Sequence, residues 1–147
     1  MGPEDLMATL HGLLASPRLA VLATQGDEQP HTSLVAFATT EDLRFLVFAT
    51  ERATRKFANL SANPGVAMLV DDRSQCEADL SEATAVTATG RAEEAQGEEE
   101  DRLMTLLLGR HRSLRALLAS PGCAVVKVPV DAYQVVTRFQ EVRELRP

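Results

Sequence analysis

The chain has 147 residues, a length typical of one domain, and 45% of them are hydrophobic. Its formal net charge of −6 argues against a general nucleic-acid binder, because such proteins need a basic surface. Two cysteines, Cys76 and Cys123, are too few for a disulfide framework, and the sequence shows neither a signal peptide nor a long apolar run, so we expect a reduced, cytoplasmic protein.

The first part of the chain predicts one helix followed by three strands. Leucines recur at helical spacing in residues 4–15, and Ser16-Pro17 ends that helix. Three short apolar runs separated by turn residues then predict strands, at residues 18–24, 31–39 and 43–49. Because short turns join these strands, we expect them to pair in antiparallel fashion.

The remaining elements alternate between helices and strands. We predict helices at residues 52–62, 97–108 and 110–119. We predict strands at residues 65–71, 83–92 and 123–128, with a polar loop at 72–82. Gly90 inside the fifth strand indicates a bulge or a close backbone approach. Residues 129–132 are predicted to turn the chain into a segment at 133–139, which pairs back on the sixth strand or extends it, and we expect the charged tail after Gln140 to fray.

This element order predicts an α+β protein that is mainly β. About six antiparallel strands in a chain of this length favour a small barrel with helices at its ends. No internal repeat, linker or second domain is evident, so residues 1–147 form a single predicted domain.

A cluster of cations follows the third strand. Arg52, Arg55 and Lys56 fall in the first turns of the helix predicted at 52–62, where the helix dipole disfavours positive charge. An anion bound among them would explain the arrangement, because free N–H groups at a helix N-terminus bind phosphate well. The alternative is that these side chains simply point into water. No GxxxxGK[ST] or GxGxxG motif is present, so a nucleotide bound in a P-loop or Rossmann manner is not expected.

Few other side chains suggest chemistry. The three histidines share no metal-ligand spacing, so we expect no metal site, and His31 is singled out only because it opens a strand where it could face a cofactor pocket. Cys76 has no neighbouring base, no serine-hydrolase motif occurs, and the carboxylates form no evident catalytic pair. We therefore assign no catalytic residue and expect a bound cofactor to supply the chemistry.

Several of these features together resemble a known family. The residues that carry the resemblance are Ala49-Thr50, Arg55-Lys56, Asn59-Leu60, Asn63-Pro64 and the strand from Val66 to Val70. Their order and spacing resemble the core motif of the pyridoxamine 5′-phosphate oxidase-like, FMN-binding split-barrel proteins, and the likeness extends over residues 5–139.

The resemblance implies a six-stranded antiparallel Greek-key split β-barrel that forms a homodimer, with FMN in two clefts between the subunits. It implies that the phosphate is held by Arg55 and Lys56 with help from Thr50 and Thr54. It places the flavin ring beside the backbone of the second strand, at Ser33, Leu34, Val35 and Ala36. Contacts from the partner subunit are expected from the residues Arg73, Ser74, Gln75 and Arg138-Phe139.

The resemblance leaves the reaction open. The chain has no Trp and lacks the aromatic-rich ending of pyridoxamine phosphate oxidase itself, so vitamin B6 oxidation is not expected. It also lacks the C-terminal extension of a haem-degrading branch, and an F420-binding branch shares the same barrel. We expect an FMN-dependent oxidoreductase acting on an unidentified small molecule. The alternative is a non-catalytic module that binds or senses flavin, F420 or a haem-type ligand.

Overall fold

The computed structural model describes residues 2–15, 19–138 and 141–147. Eight strands are present in this part of the chain: β1 Leu19–Gln25, β2 Pro30–Thr39, β3 Phe45–Glu51, β4 Gly65–Asp71, β5 Thr84–Arg91, β6 Glu93–Glu94, β7 Cys123–Thr137 and β8 Glu141–Leu145. The helices are α1 Pro3–Ala15, α2 Arg55–Ala62, α3 Asp79–Glu82, α4 Glu98–Arg110 and α5 Arg115–Ala119, and a 3₁₀ turn at Arg112–Leu114 precedes α5.

Six of the strands close into a barrel. The hydrogen-bonded order is β3-β2-β1-β4-β5-β7, and β7 pairs again with β3, so the sheet has no free end. All the pairings are antiparallel. The order β4-β1-β2-β3 is a Greek key, because β4 returns to lie beside the first of three consecutive strands. The predicted six-stranded Greek-key barrel is therefore confirmed, with β6 and β8 as additional strands.

The barrel interior is filled by alternate residues of its strands. Its largest fully buried side chains include Leu22, Phe37, Phe48, Met68 and Tyr133. Helix α1 adds its buried leucine face to this core, as its 3.6-residue spacing predicts, and α2 packs against the same core through Leu60 and Phe57. A barrel this small cannot hold a ligand inside, because side chains already occupy its centre.

One outer face of the barrel is covered and another is not. Helices α4 and α5 bury a second apolar cluster against the outer sides of β2, β3 and β7, including Ala38, Val47 and Val125. On the outer face of β1 and β2, by contrast, Leu19 is 52% exposed and Leu34 is 64% exposed. We call this second face, formed by the outward residues of β1, β2, β4 and β5, the open sheet face.

The third strand and the second helix begin later than predicted. Strand β3 starts at Phe45 instead of residue 43, because Leu43 adopts a positive φ of 63° in the tight turn after β2. Helix α2 starts at Arg55, with Thr54 as its N-cap, instead of residue 52. Arg52 therefore lies outside the helix, and only two of the three predicted cations belong to its first turn.

The C-terminal region departs most from the prediction. Residues 129–132 do not form a turn, and β7 runs unbroken because its first half pairs with β3 and its second half pairs with β5. The register between β5 and β7 shifts at Thr89/Gly90, and a Cβ on Gly90 would collide with the carbonyl oxygen of Pro129. Both the bulge and the close approach predicted at Gly90 are confirmed, and the proline is tolerated at this irregularity.

The charged tail forms β8 against the second half of β7, instead of fraying. A run of acidic residues at 93–101 divides between β6, with Glu93 and Glu94, and the first turn of α4, with Glu98, Glu99, Glu100 and Asp101. Two of its members, Glu93 and Glu99, form ion pairs with Lys127 of β7.

Candidate functional site

Strands β2 and β3 separate along most of their length. They pair over three residues only, from Phe37 opposite Phe48 to Thr39 opposite Leu46. Residues 31–36 of β2 continue to pair with β1, whereas their other edge meets no strand in the described part of the chain. In an antiparallel strand every second residue directs its N–H and C=O away from a given neighbour, so this edge presents free hydrogen-bonding groups. We call the opening between residues 31–36 and Thr50–Glu51 the β2–β3 gap.

Helix α2 begins at the rim of the β2–β3 gap. The Thr54 hydroxyl accepts a hydrogen bond from the Phe57 N–H at 3.3 Å and donates to the Glu51 carbonyl at 2.9 Å. It also lies 3.2 Å from the hydroxyl of Thr50, which is 3% exposed. Thr54 is thus a standard N-cap that ties the helix to the end of β3.

The N-cap leaves two helical donors free. No hydrogen bond from the backbone N–H of Arg55 or Lys56 is present among the described residues, as expected for the first two positions of a helix. These N–H groups point out of the helix N-terminus, where the dipole is positive. They form a pair of donors suited to an anion.

The cations divide into one that is paired and two that are not. Arg52 donates to Glu94 at 2.9 Å and to the Cys123 carbonyl at 3.0 Å, and the bond to Glu94 raises the pKa of the guanidinium. Arg55 and Lys56 form no ion pair within residues 2–15, 19–138 and 141–147. Of the three predicted cations, Arg52 therefore has a structural role, and only Arg55 and Lys56 are available to bind an anion.

Polar side chains line the inner side of the barrel below α2. Thr24 of β1 is 2% exposed, and its hydroxyl accepts a hydrogen bond from the Asn59 amide at 3.1 Å. His31 and Ser33 project from the inner side of β2, because they lie four and two residues before the buried Val35 and therefore share its face of the strand. Thr24 and Asn59 were not predicted as site residues, although a threonine at the end of an apolar strand is a usable signal.

The arrangement suits a phosphorylated ligand. Two unpaired cations, two free N–H groups and the Thr50–Thr54 hydroxyl pair surround one side of the gap, where charge-assisted hydrogen bonds to phosphate are strong. The free edge of β2 lies on the other side of the gap, and the side chains of Leu34 and Ala36 project from the outer face of this strand. The residues predicted to hold a phosphate and a flavin ring therefore border one opening. Their ligand contacts stay a prediction.

The loop predicted to reach a partner's cofactor lies elsewhere in the chain. The Asp79 carboxylate accepts the backbone N–H groups of Ser74, Gln75 and Cys76 at 3.0, 2.7 and 3.2 Å, and these bonds lower the pKa of that carboxyl. Arg73 pairs with Asp71 at 3.0 Å. Two acidic side chains, Asp79 in α3 and Asp71 at the end of β4, therefore hold the loop in place.

This loop overhangs a cavity of about 670 Å³ on the open sheet face, whose floor includes Leu69, Ala85 and Val136. The loop follows Asp71, at the end of β4 that lies nearest the start of β1. Helix α2 packs near the other end of β4, where Asn59 bonds to Thr24 at the end of β1. Arg73, Ser74 and Gln75 therefore do not join the β2–β3 gap of their own chain.

Arg138 also lies away from the gap. It follows β7 with a positive φ of 53° and lines a separate cavity with Thr137 and Glu141. Phe139, named with it in the prediction, lies outside the described residues. The roles of this residue and of the loop in a partner's site stay predictions.

Two kinds of feature are absent from the described residues. Within the described ranges, no group of three or more His, Cys, Asp and Glu side chains is placed to hold a metal ion. No helix in that part of the chain has both the length and the apolar character needed to cross a membrane.

Comparisons with known proteins agree with the fold. The family model described as pyridoxamine 5′-phosphate oxidase matches residues 6–137. No curated protein sequence matches the chain.

Solved structures share the fold at low sequence identity. A heme binding protein from Mycobacterium smegmatis aligns with a TM-score of 0.82 and 19% identity over 91% of this chain, which spans 55% of that protein's length. General Stress Protein 26 from Bacillus anthracis aligns with a TM-score of 0.74 and 19% identity, covering 97% of this chain and 99% of its own. A FAD-binding protein from Mesorhizobium loti aligns with a TM-score of 0.67 and 19% identity, covering 87% and 90%.

Proposed function

The chain belongs to the pyridoxamine 5′-phosphate oxidase family, and on that basis we propose that it is a flavoprotein that binds FMN in the β2–β3 gap. The observation that carries the proposal is the start of α2, where Arg55 and Lys56 have neither an ion-pair partner nor a bonded backbone N–H among the described residues. Unpaired cations at a helix N-terminus are unfavourable without an anion. A phosphate removes that cost.

Other residues that border the β2–β3 gap would provide the remaining contacts to FMN. Thr50 and Thr54 lie at the same rim of the gap with their hydroxyls 3.2 Å apart, and we expect them to help hold the same anion once it replaces the Glu51 carbonyl as their acceptor. The backbone of residues 33–36 offers donors and acceptors to the edge of a planar ring, and the Leu34 side chain offers apolar contact. Bound FMN would supply hydride or electron transfer, and the protein would supply binding and orientation.

The reaction we propose is an oxidation or reduction of a small molecule by the bound flavin. Support comes from the family model that matches the chain, whose description is that of an oxidase. No side chain at the gap is assigned a catalytic role. The expected cytoplasmic location stays a prediction.

We further propose that the protein is a homodimer that associates through the open sheet face. Leu19 and Leu34 are exposed on a largely apolar sheet surface that no helix in the described residues covers, whereas α4 and α5 cover the other outer face. A second copy would bury Leu19 and Leu34, and would bring the loop at 72–82 near the partner's gap. Replacing Leu34→Glu should convert the dimer to a monomer in size-exclusion chromatography with light scattering, and an unchanged mass would refute this interface.

The decisive experiment on the cofactor is reconstitution. Purified protein is incubated with FMN, freed of excess ligand, and its visible spectrum is recorded, followed by anaerobic titration with NADH or NADPH. We expect a retained flavin that is bleached by the reductant and restored by an acceptor. Protein that retains no flavin would refute the proposal, whereas a bound flavin that stays redox-silent would leave a binding or sensing module.

A haem-type or deazaflavin ligand is the second candidate. It is favoured by one observation, namely that a heme binding protein shares the fold with a TM-score of 0.82. Competition distinguishes the candidates: haemin or F420 is added to the FMN-loaded protein and the displaced flavin is measured by fluorescence. Displacement at concentrations below that of FMN would favour the second candidate.

A further inference from the structure

A second opening adjoins the start of α2. The turn between β1 and β2, residues 26–29, lies beside this helix and leaves a cavity of about 400 Å³ between them. We call this cavity the turn–helix cleft. Its lining includes Asp27 and Glu28 of the turn and, from one face of α2, Arg55, Ala58, Asn59 and Ala62.

The turn–helix cleft is continuous with the β2–β3 gap. Arg55, the first residue of α2, lines the cleft and also belongs to the helix start at the rim of the gap. On the other wall, the turn leads through Pro30 into His31, where the free edge of β2 begins. A group attached to the outer side of a phosphate at the start of α2 would therefore enter this cleft.

The charges of the cleft are unbalanced. Asp27 and Glu28 are exposed, and neither side chain forms an ion pair in the described part of the chain. Arg55 is the one cation among the lining residues, so two carboxylates stand against a single guanidinium. When a phosphate engages Arg55, both carboxylates are left facing whatever the phosphate carries on its outer side.

The amide side chains of the cleft hold its walls together. Asn59 donates to the Thr24 hydroxyl at 3.1 Å, and Gln25 donates to the Gly65 carbonyl at 3.2 Å. Asn63 donates to the Gln25 carbonyl at 3.4 Å. These bonds tie α2 and β4 to the end of β1, so the two acids of the turn are presented to the cleft by a braced frame.

We propose that the turn–helix cleft selects a flavin whose phosphate is terminal, and that Asp27 and Glu28 are specificity-determining residues that repel an anionic group attached to that phosphate. The inference rests on the proposed FMN site. FMN ends in a phosphate monoester, so its charge of nearly −2 stays at the start of α2. FAD divides its charge between two linked phosphates, and the second phosphate would enter the cleft beside the carboxylates. Like charges held this close repel, and the protein wall weakens the screening between them.

The proposal is tested by measuring the affinities of FMN and FAD for the wild type and for the double variant Asp27→Asn with Glu28→Gln. Isothermal titration calorimetry is used because the adenine of FAD quenches the flavin fluorescence. We expect the wild type to prefer FMN, and the double variant to gain FAD affinity relative to FMN by about three- to tenfold. The gain should shrink at high salt, because exposed charges are screened.

A matched control removes the same charge elsewhere. Glu4→Gln with Glu41→Gln neutralises two exposed carboxylates that do not line the cleft, and should leave the ratio of the two affinities unchanged. This control separates a local effect from the overall charge of −6. Thermal unfolding of each variant verifies that the barrel is intact before affinities are compared.

The outcomes separate this inference from the function on which it rests. A wild type that prefers FAD, or a ratio that the double variant leaves unchanged, would overturn the inference. Weaker FAD binding by the double variant would also overturn it, and would indicate that the carboxylates accept hydrogen bonds from the ribose of the nucleotide half. An equal gain in the control would assign the effect to overall charge and overturn it as well. A wild-type protein that binds neither flavin would refute the FMN proposal itself.

Discussion

The start of α2 allows a quantitative test of phosphate binding. We consider the double substitution Arg55→Ala and Lys56→Ala, which removes both unpaired cations and leaves the Thr54 cap in place. Because both side chains lack an ion-pair partner in the described chain, their removal breaks no bond of the free protein. The stability of the protein should therefore change by no more than about 0.5 kcal/mol, as at other surface positions.

The expected loss of affinity is much larger. A hydrogen bond to a charged group contributes about 1.5–3 kcal/mol, and the exposure of Arg55 to solvent places its contribution at or below the lower end of that range. We expect the double variant to bind FMN more weakly by about 2–4 kcal/mol, a factor of roughly 30 to 700 in the dissociation constant. The backbone N–H groups remain, so binding weakens without vanishing.

The assay is a titration of FMN and riboflavin by fluorescence, at low and at high salt. Riboflavin has no phosphate, so its affinity should be the same for the wild type and the variant. A matched control, Arg112→Ala with Arg115→Ala, removes two exposed cations beside α5 and should leave FMN binding unchanged. The reasoning fails if the control weakens FMN as much as the test variant does, or if riboflavin and FMN lose affinity equally.

Three other predictions follow from contacts described above. Thr54→Ala removes the N-cap of α2 and should lower the free energy of unfolding by about 1 kcal/mol in urea titrations; an unchanged midpoint would show that the cap is dispensable. Tyr133→Phe deletes the 2.8 Å bond to the Leu43 carbonyl and leaves that buried acceptor unpaired, so unfolding should become easier by about 1–3 kcal/mol, and a neutral effect would contradict the burial argument. The hydrogen bond from Ser74 lowers the pKa of the exposed Cys76 thiol, so Ser74→Ala should slow its alkylation below the ordinary thiol pKa and leave the rate unchanged well above it; identical pH profiles would refute this.

The fold was predictable wherever local patterns determine the structure. Apolar runs separated by turn residues predict most of the strands, and short connections predict their antiparallel pairing. The errors occur where the partner is distant in sequence. Pro129 and Asp131 favour a turn, yet β7 passes through them because β3 and β5 pair with its two halves and Gly90 makes room for the proline. The tail pairs through its backbone, so its charged side chains do not prevent β8 from forming.

The candidate site, too, could be predicted only where local sequence patterns determine it. The position of Arg55 and Lys56 in the first turns of a helix could be predicted from the sequence, because the pattern that indicates this helix is local. The removal of Arg52 from the cluster was not predictable, since its partner Glu94 lies 42 residues further along the chain. His31 Nδ1 and Ser33 Oγ are buried without a hydrogen-bond partner among the described residues, which is likewise a property of the folded barrel, because it depends on which neighbours are already bonded.

The long strand β7 has a consequence for how the chain folds. It closes the barrel on both sides, by pairing Cys123 with Glu51 of β3 and Thr137 with Thr84 of β5. Contacts between residues so distant in sequence carry a large loop-closure entropy, and proteins dominated by them fold slowly. On the ribosome, β1 to β5 would therefore emerge with two sheet edges exposed until about the last sixth of the chain, which begins with β7, arrives. This topology makes the chain prone to aggregation during synthesis, until β7 pairs with the exposed edges of β3 and β5.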